Sequence, residues 1–185
     1  MGKLIYSMSM SLDGFIAGPD GDFAWSAPDE ELHRFHNQQA REVGTMLCGR
    51  RLYEVMVYWE TADQQPLADY ALDFARIWQA LPKVVVSRTL DSVEGNSRLV
   101  ADGVADEVAQ LKRESSKDIG VGGAGLAAAL IEHGLVDEFW PFVYPVVTGG
   151  GTPFLPATKA RIDLELLETR TFASRVVHLR YRRAA

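Results

Sequence analysis

The sequence has little cysteine, no long apolar run and no excess of positive charge. Cys48 is the single cysteine in 185 residues, which excludes an intramolecular disulfide and a cysteine-rich zinc module. No stretch approaches the roughly 18 apolar residues of a membrane-spanning helix, and the N-terminal segment lacks the pattern of a signal peptide. The net charge of −6 argues against a general nucleic-acid binder, because phosphate contacts need a basic face. We therefore expect a cytoplasmic protein that binds neither membranes nor nucleic acid.

The composition is that of a globular protein. Hydrophobic residues make up 47% of the chain and charged residues 24%, which argues against disorder and coiled coil. The length fits one domain, since domains usually contain about 100 to 200 residues. No linker, internal repeat or low-complexity segment interrupts the sequence. We therefore predict a single domain over residues 1–185.

Hydrophobic patterns predict alternating strands and helices. Residues 4–12 alternate so that one face of a strand carries small serine side chains, which lets a ligand approach the backbone. Before the first helix, Ser26 is expected to take part in capping. The predicted helices are 29–43, 52–56, 67–80, 104–113 and 126–133, and the predicted strands are 4–12, 45–48, 83–87, 118–121, 137–147, 164–171 and 176–182. The expected fold is α/β, with a mixed central sheet, flanking helices and an antiparallel C-terminal hairpin.

A glycine-rich segment follows one of these strands. Residues 120–125 read Gly-Val-Gly-Gly-Ala-Gly, which satisfies G-x-G-x-x-G between a strand and a helix. Backbone N–H groups and the helix dipole bind a pyrophosphate in this arrangement. The glycines alternatively serve only a tight strand-to-helix turn. We favour phosphate binding because the strand and the helix lie where the motif needs them.

Two arginine-bearing segments follow other predicted strands. Gly49, Arg50 and Arg51 precede a helix, and their guanidinium groups suit a phosphate monoester such as the 2′-phosphate of NADPH. Ser87 and Arg88 lie just beyond a central strand, at the edge where open α/β sheets bind ligands. The alternative is that these are ordinary surface arginines. Three polar strand ends together favour a nucleotide.

Carboxylates cluster at the predicted start of the first helix. Acidic residues are favoured there by the helix dipole alone, so most such clusters have no catalytic role. Helical geometry nevertheless places Glu31 and Asp29 beside the Leu32 and Phe35 face, whereas Glu30 lies opposite it. Glu31 is therefore the first candidate for a carboxylate that points into a pocket, and Asp29 is the second.

Metal and thiol chemistry have weaker support. His33 and His36 are separated by one helical turn, but no third ligand is evident, so no metal is predicted. Cys48 falls within a buried strand and is interpreted as a small core residue. The sequence contains neither a G-x-S-x-G elbow nor a P-loop, which removes the main support for a serine hydrolase or a P-loop NTPase.

Several of these segments, in this order, resemble the dihydrofolate reductase superfamily. The closest resemblance is to the reductase domain of the bifunctional deaminase-reductase of riboflavin biosynthesis and its stand-alone relatives. The similarity covers nearly the whole chain, and the order of its segments is more specific than any one of them. They are SLDGFIAGPDG, Trp25 before the acidic helix start, LCGRRLYE, KVVVSRTL, IGVGGAGLAAALIEHGLVDE and PVVTGGGTPFL.

The resemblance implies the positions of an NADPH site and of a substrate site. It assigns the nicotinamide to Ile16 and Ala17, and it assigns Glu31 to the substrate ring and to protonation. Trp25, Phe142 and Tyr144 are candidate substrate contacts, and the last two are alternatively core aromatics. The adenosine-phosphate contacts would be Gly49, Arg50, Arg51, Ser87 and Arg88, and the pyrophosphate contacts Gly122, Gly123, Ala124, Gly125 and Leu126.

The implied function is an NADPH-dependent reductase that transfers a hydride to a pyrimidine- or pterin-like heterocycle. The resemblance points to 5-amino-6-(5-phosphoribosylamino)uracil reductase and to dihydrofolate reductase. Pro82-Lys83 stands where dihydrofolate reductases carry an Arg-Lys pair, so the cation for a folate tail is missing. The relatives also imply a homodimer formed through the C-terminal strands. A non-catalytic nucleotide- or ligand-binding protein with the same fold is the alternative.

Overall fold

The computed structural model describes residues 2–158 and 160–184, and its helices flank one large sheet. The strands are β1 (Leu4–Ser11), β2 (Phe15–Ala17), β3 (Val43–Gly49), β4 (Lys83–Val86), β5 (Ser97–Val100), β6 (Asp118–Gly122), β7 (Glu138–Tyr144), β8 (Thr152–Pro153), β9 (Leu164–Thr171) and β10 (Val177–Arg183). The α-helices are α1 (Glu30–Glu42), α2 (Arg50–Met56), α3 (Asp69–Ala80), α4 (Val104–Glu114) and α5 (Ala124–Glu132). No helix in these ranges is both long and apolar enough to cross a membrane.

The main sheet has eight strands in the order β5-β4-β3-β6-β1-β7-β10-β9. Its first six strands pair in parallel, and β1 lies between β6 and β7. β10 then runs antiparallel to both β7 and β9. β2 and β8 form a separate antiparallel pair. The expected mixed sheet with an antiparallel C-terminal hairpin is therefore confirmed.

The two faces of β1 meet different layers of the protein. Leu4 and Tyr6 are fully buried in a core cluster that includes side chains of α4 and α5. On the opposite face Ser9 lies in register with Phe142 of β7, whose ring packs with α1. The period-two pattern of the sequence thus separates an apolar face from a serine face. The serine face leaves space beside α1.

The cap of α1 lies three residues later than the pattern suggested. The Asp29 carboxylate accepts a hydrogen bond of 2.9 Å from the Leu32 backbone N–H, which satisfies one of the free donors of the first turn. The Ser26 hydroxyl instead donates to the carbonyl of Phe23 within a short 3₁₀ turn. The prediction that Ser26 takes part in capping is wrong, because Ala27 leaves that turn in an extended conformation.

Two strands also differ from the sequence pattern. β7 ends at Tyr144, whereas the pattern extended it to residue 147, because Pro145 has no N–H for a ladder hydrogen bond. β5 was not predicted at all. It is a four-residue edge strand next to β4, and so short a segment carries little periodicity.

A histidine without hydrogen bonds lies inside the aromatic cluster between α1 and the sheet. His178 of β10 is fully buried, and its ring stacks on Phe142 at 4.4 Å. In the part of the chain that the structure describes, neither ring nitrogen of His178 has a hydrogen-bond partner. Burial lowers the pKa of His178 to about 4, and Arg180 and Arg170 act in the same direction against the opposing effect of Glu168.

Because of its lowered pKa, His178 is expected to reduce the free energy of unfolding at acidic pH. His178 titrates near 6.5 in the unfolded chain and near 4 in the folded protein, so its effect is absent above pH 6.5 and destabilises the fold as the pH falls. We expect His178→Phe to reduce the slope of unfolding free energy against pH by up to about 1.4 kcal/mol per pH unit. Urea unfolding between about pH 4 and 7.5 measures this slope. A variant with the slope of the wild-type protein would contradict the prediction, and His133→Gln, at an exposed position, is the control.

Candidate functional site

A cavity of about 1470 Å³ opens at the carboxyl ends of the parallel strands. It extends from the glycine-rich start of α5 to the contact between α1 and β7. Ligands of open α/β sheets bind at this edge, because the strand ends and the helix starts leave a crevice there. The cavity is therefore the candidate functional site.

The start of α5 forms a cradle without side chains. Gly123 has a φ of +94°, which L-residues rarely adopt, and residues 123–126 line the cavity. A Cβ at Gly122 would lie 2.3 Å from Cδ2 of Leu52, whereas a Cβ at Gly125 would meet no atom within 4 Å. The N-cap residue of α5, Gly123, has no side chain to cap the helix, so the backbone N–H groups of its first turn are available to an anion. These features fit a bound pyrophosphate.

Two cations lie beside this cradle. Gly49, Arg50 and Arg51 line the cavity, and a Cβ at Gly49 would lie 3.5 Å from Cβ of Leu126. The Nε of Arg50 donates to Glu54 at 2.7 Å, and its Nη1 donates to the Thr89 hydroxyl at 2.8 Å. Within the described residues, the guanidinium of Arg51 has no ion-pair partner. The Arg50 guanidinium is thus held by two protein groups, whereas the Arg51 guanidinium is available to a ligand.

The polar residues after β4 lie beside the cavity and not in its lining. Ser87 and Arg88 are not among the described residues that line the cavity. The Ser87 hydroxyl accepts hydrogen bonds of 3.1 Å from the backbone of Thr89 and from that of Leu90, which stabilises the turn. Arg88 donates from Nε to Asp102 at 2.8 Å. The Thr89 hydroxyl of the same turn accepts a hydrogen bond from Arg50, so the segment borders the arginine side of the site, and its binding role stays a prediction.

Another wall of the cavity consists of two short strands. Ile16 and Ala17 line the cavity, as the resemblance implies, and β2 pairs with β8. Gly151 approaches this wall so closely that a Cβ there would lie 2.0 Å from the carbonyl oxygen of Ala17. From the sequence pattern, the glycines at 149–151 are predicted only to form a loop. Their role as a close contact depends on a long-range pairing that no local pattern contains.

The two predicted catalytic carboxylates lie outside the cavity lining. The Asp29 carboxylate caps α1. Glu31 accepts a 3.0 Å hydrogen bond from the backbone N–H of Ala173, and its other oxygen lies 3.6 Å from Arg170. The expectation that Glu31 points into the pocket is not met, because the β9–β10 hairpin holds its carboxylate. The catalytic role of both residues stays a prediction that no observed contact supports.

The aromatic candidates separate into one cavity residue and two neighbours. Phe142 lines the main cavity, whereas Tyr144 packs in the cluster with Leu32. Trp25 lies edge-on to Tyr144 at 5.7 Å and lines a smaller adjoining cavity of about 430 Å³. Of the three predicted substrate contacts, the structure therefore places only Phe142 in the main cavity.

His36 is a cavity residue whose role the sequence did not reveal. Its spacing from His33 suggests only a pair of metal ligands, but the two rings have different neighbours. His33 lies among aromatic rings of α3, including Tyr70 at 5.0 Å, while His36 lines the cavity and contacts Phe142 at 4.5 Å. Across the described ranges, no group of three or more metal-ligating side chains occurs.

The fold and the cavity together define a dihydrofolate reductase-like α/β protein. Among solved structures, this chain is similar to a protein assigned to riboflavin biosynthesis from Shewanella sp. PV-4, with a TM-score of 0.76 and 19% identity over 99% of each chain. It is also similar to dihydrofolate reductase from Enterococcus faecalis, solved with NADP(H), with a TM-score of 0.64 and 14% identity over 100% of this chain and 98% of the other. At these identities the likeness establishes the fold alone.

The family follows from the sequence. The model of the RibD C-terminal domain matches residues 2–178, and the chain belongs to that family. The protein YyaP of Bacillus subtilis strain 168 is 34% identical to it over 182 residues, which are 97% of this chain and 94% of YyaP. The resemblance inferred from the motifs is thereby confirmed.

Proposed function

We propose that this protein is an NADPH-dependent reductase that acts on a pyrimidine- or pterin-like heterocycle. The observation that carries the proposal is one continuous cavity with an anion cradle and two arginines at one end and Phe142 with His36 at the other. A dinucleotide and a ring substrate need such a shared space, because a hydride passes directly between them. The cytoplasm is the proposed location.

Each part of the cavity has a role in this proposal. The first-turn N–H groups of α5 bind the pyrophosphate, and Arg50 and Arg51 bind the 2′-phosphate. Ile16 and Ala17, which belong to the wall formed by β2 and β8, contact the nicotinamide end of the cofactor. NADPH, when bound, supplies the hydride. The protein contributes orientation and exclusion of water.

Cofactor selectivity tests the proposal directly. We expect calorimetry to give at least about tenfold tighter binding of NADPH than of NADH, because only NADPH carries the 2′-phosphate. Arg51→Ala should remove most of this preference and leave the affinity for NADH unchanged, since the Arg51 guanidinium has no protein partner to lose within the described residues. Arg50→Ala should act in the same direction and should also release Glu54.

Arg161→Ala is the matched control, because Arg161 lies outside the cavity lining, pairs with Asp163 and has no predicted binding role. Equal binding of NADPH and NADH, or no binding of either, would defeat the reductase proposal. The alternative of a non-catalytic binding protein gains support if NADPH binds with the expected selectivity but no heterocycle stimulates its oxidation.

A homodimer through the C-terminal hairpin remains part of the proposal. β9 is an edge strand of the sheet, and all eight of its residues are exposed. Leu164, Leu166 and Leu167 are among the large apolar side chains on the surface of the described chain. An unpaired edge with exposed leucines is suited to pairing with a second copy.

A further inference from the structure

The end of the cavity beside α1 has an unusual set of polar groups. We call it the substrate end and define it as Ser9, Ser26, His36 and Phe142, all of which line the cavity. These residues come from β1, from the turn before α1, from α1 and from β7. Hydroxyl groups and one imidazole are therefore the polar side-chain groups that a ligand meets there.

Positive charge is confined to the other end. Among the described residues that line the cavity, the cations are Arg50 and Arg51. Both belong to the first turn of α2, directly after Gly49, which packs against Leu126 at the start of α5. Each guanidinium is thus placed for the cofactor phosphates. No described side chain at the substrate end balances a phosphate or a carboxylate.

Negative charge is also kept away from the substrate end. Asp29 and Glu31 are held by backbone N–H groups outside the cavity. Asp20 is the one acid among the described lining residues, and it belongs to an exposed turn in which its Oδ1 accepts a hydrogen bond from Asp22. A protonated aminopyrimidine, which pairs with a buried carboxylate, finds no such partner beside Phe142.

His36 supplies the ionisable group at this end. The centre of its ring lies 4.5 Å from the centre of the Phe142 ring, and His36 lines the cavity. Burial lowers the pKa of His36 to about 4, with further lowering from His33 and His178 and an opposing effect of a hydrogen bond to Gln39. The imidazole is neutral at pH 7, and one ring nitrogen donates while the other accepts. Together with the Ser9 and Ser26 hydroxyls, this ring offers donors and acceptors to a ligand that carries carbonyl and N–H groups.

We propose that the substrate end binds an uncharged ring with adjacent carbonyl and N–H groups, that His36 determines this specificity, and that anionic or protonated analogues are excluded. The inference deepens the proposed function and rests on it. A charged substituent would lose water here without gaining an ion-pair partner, which costs far more than burying a neutral group that forms hydrogen bonds. The predicted substrate therefore lacks the phosphate or carboxylate tail of larger pyrimidine and folate derivatives.

Three matched probes test the proposal by calorimetry, with and without saturating NADPH. Lumazine is an uncharged pteridine-dione, and 6-carboxylumazine adds an anion to the same ring. In 2,4-diaminopteridine amino groups replace the carbonyls, which inverts the hydrogen-bond pattern and makes a ring nitrogen basic. We expect lumazine to bind at least about tenfold more tightly than either analogue. Binding is measured directly, so the result does not depend on turnover.

Variants separate specificity from folding. His36→Ala should weaken lumazine binding about tenfold, whereas His36→Gln, which keeps a neutral donor and acceptor, should retain most of it. His133→Gln is the matched control, since His133 is exposed and hydrogen-bonds to Ala129. Ser26→Arg adds a cation at the substrate end and should raise the affinity for 6-carboxylumazine at least about tenfold. Thermal melting verifies that each variant is folded.

The possible outcomes separate the two hypotheses. Equal binding of lumazine and 6-carboxylumazine, unchanged lumazine binding in folded His36→Ala, or no lumazine binding in either state would overturn the inference. Selective lumazine binding without any NADPH binding would defeat the proposed reductase and leave the specificity of the substrate end standing. Selective binding of both molecules supports both hypotheses.

Discussion

Gly125→Asp is expected to lower the affinity for NADPH by at least about 100-fold while the protein stays folded. Gly125 is exposed in the first turn of α5, lines the cavity and has no neighbour within 4 Å of its virtual Cβ. A carboxylate at a helix start is favourable for the helix, but here it competes with the pyrophosphate for the same N–H groups and repels it. Stability and cofactor binding should therefore respond in opposite directions.

Thermal melting without ligand and calorimetry with NADPH measure the two responses. Gly125→Ala is the control for size, since it adds a methyl group without charge and replaces a helical glycine. We expect it to raise the free energy of unfolding by about 0.5 to 1 kcal/mol and to weaken NADPH binding less than the aspartate does. Unchanged NADPH affinity in Gly125→Asp would remove the pyrophosphate from the start of α5.

Lys83→Met is expected to lower the free energy of unfolding by about 3 to 5 kcal/mol, because it leaves a buried carboxylate unpaired. The Lys83 side chain is fully buried, and its Nζ lies 3.0 Å from Oε1 of Glu60, whose side chain is 7% exposed. The same ammonium donates to the carbonyls of Trp78 and Leu81 at 2.6 and 3.0 Å. Its charge also lies 4.9 Å from the centre of the Trp78 ring.

A double-mutant cycle isolates the pair. Replacing both partners, in Lys83→Met/Glu60→Leu, should recover much of the lost stability, since no buried charge remains. Urea unfolding of the wild-type protein, the two single variants and the double variant gives the coupling energy. A loss below about 1 kcal/mol in the Lys83 variant would show that water reaches Glu60 and that the pair is weak.

Much of the fold was predictable because local sequence patterns determine its strands and helices. The alternation of residues 4–12 predicted β1 and its serine face, and G-x-G-x-x-G placed a glycine turn between β6 and α5. The C-terminal hairpin followed from two alternating segments. β5 escaped prediction because four residues carry little periodicity, and the order of the eight strands depends on long-range pairing.

The parts of the candidate site that are formed by the backbone were predictable from the sequence. The parts that depend on which distant residue a side chain contacts were not. Residues 123–126 line the cavity as expected because glycine fixes the backbone path. Glu31 had a suitable helical face, but an unforeseen neighbour, the β9–β10 hairpin, holds its carboxylate. His36 lies on the same helix, and only the position of Phe142 on a distant strand reveals that its ring faces the cavity.

The central position of β1 affects how the chain folds during its synthesis on the ribosome. β1 pairs with β6 from Leu4 and with β7 as far as Tyr144, so its neighbours emerge more than a hundred residues after it. Such non-local pairing is slow. An apolar strand is prone to aggregation until its partner strands have been synthesised. The first strand to be synthesised is thus completed late, and a nascent chain that stops before β7 has the glycine cradle but lacks the floor of the substrate end.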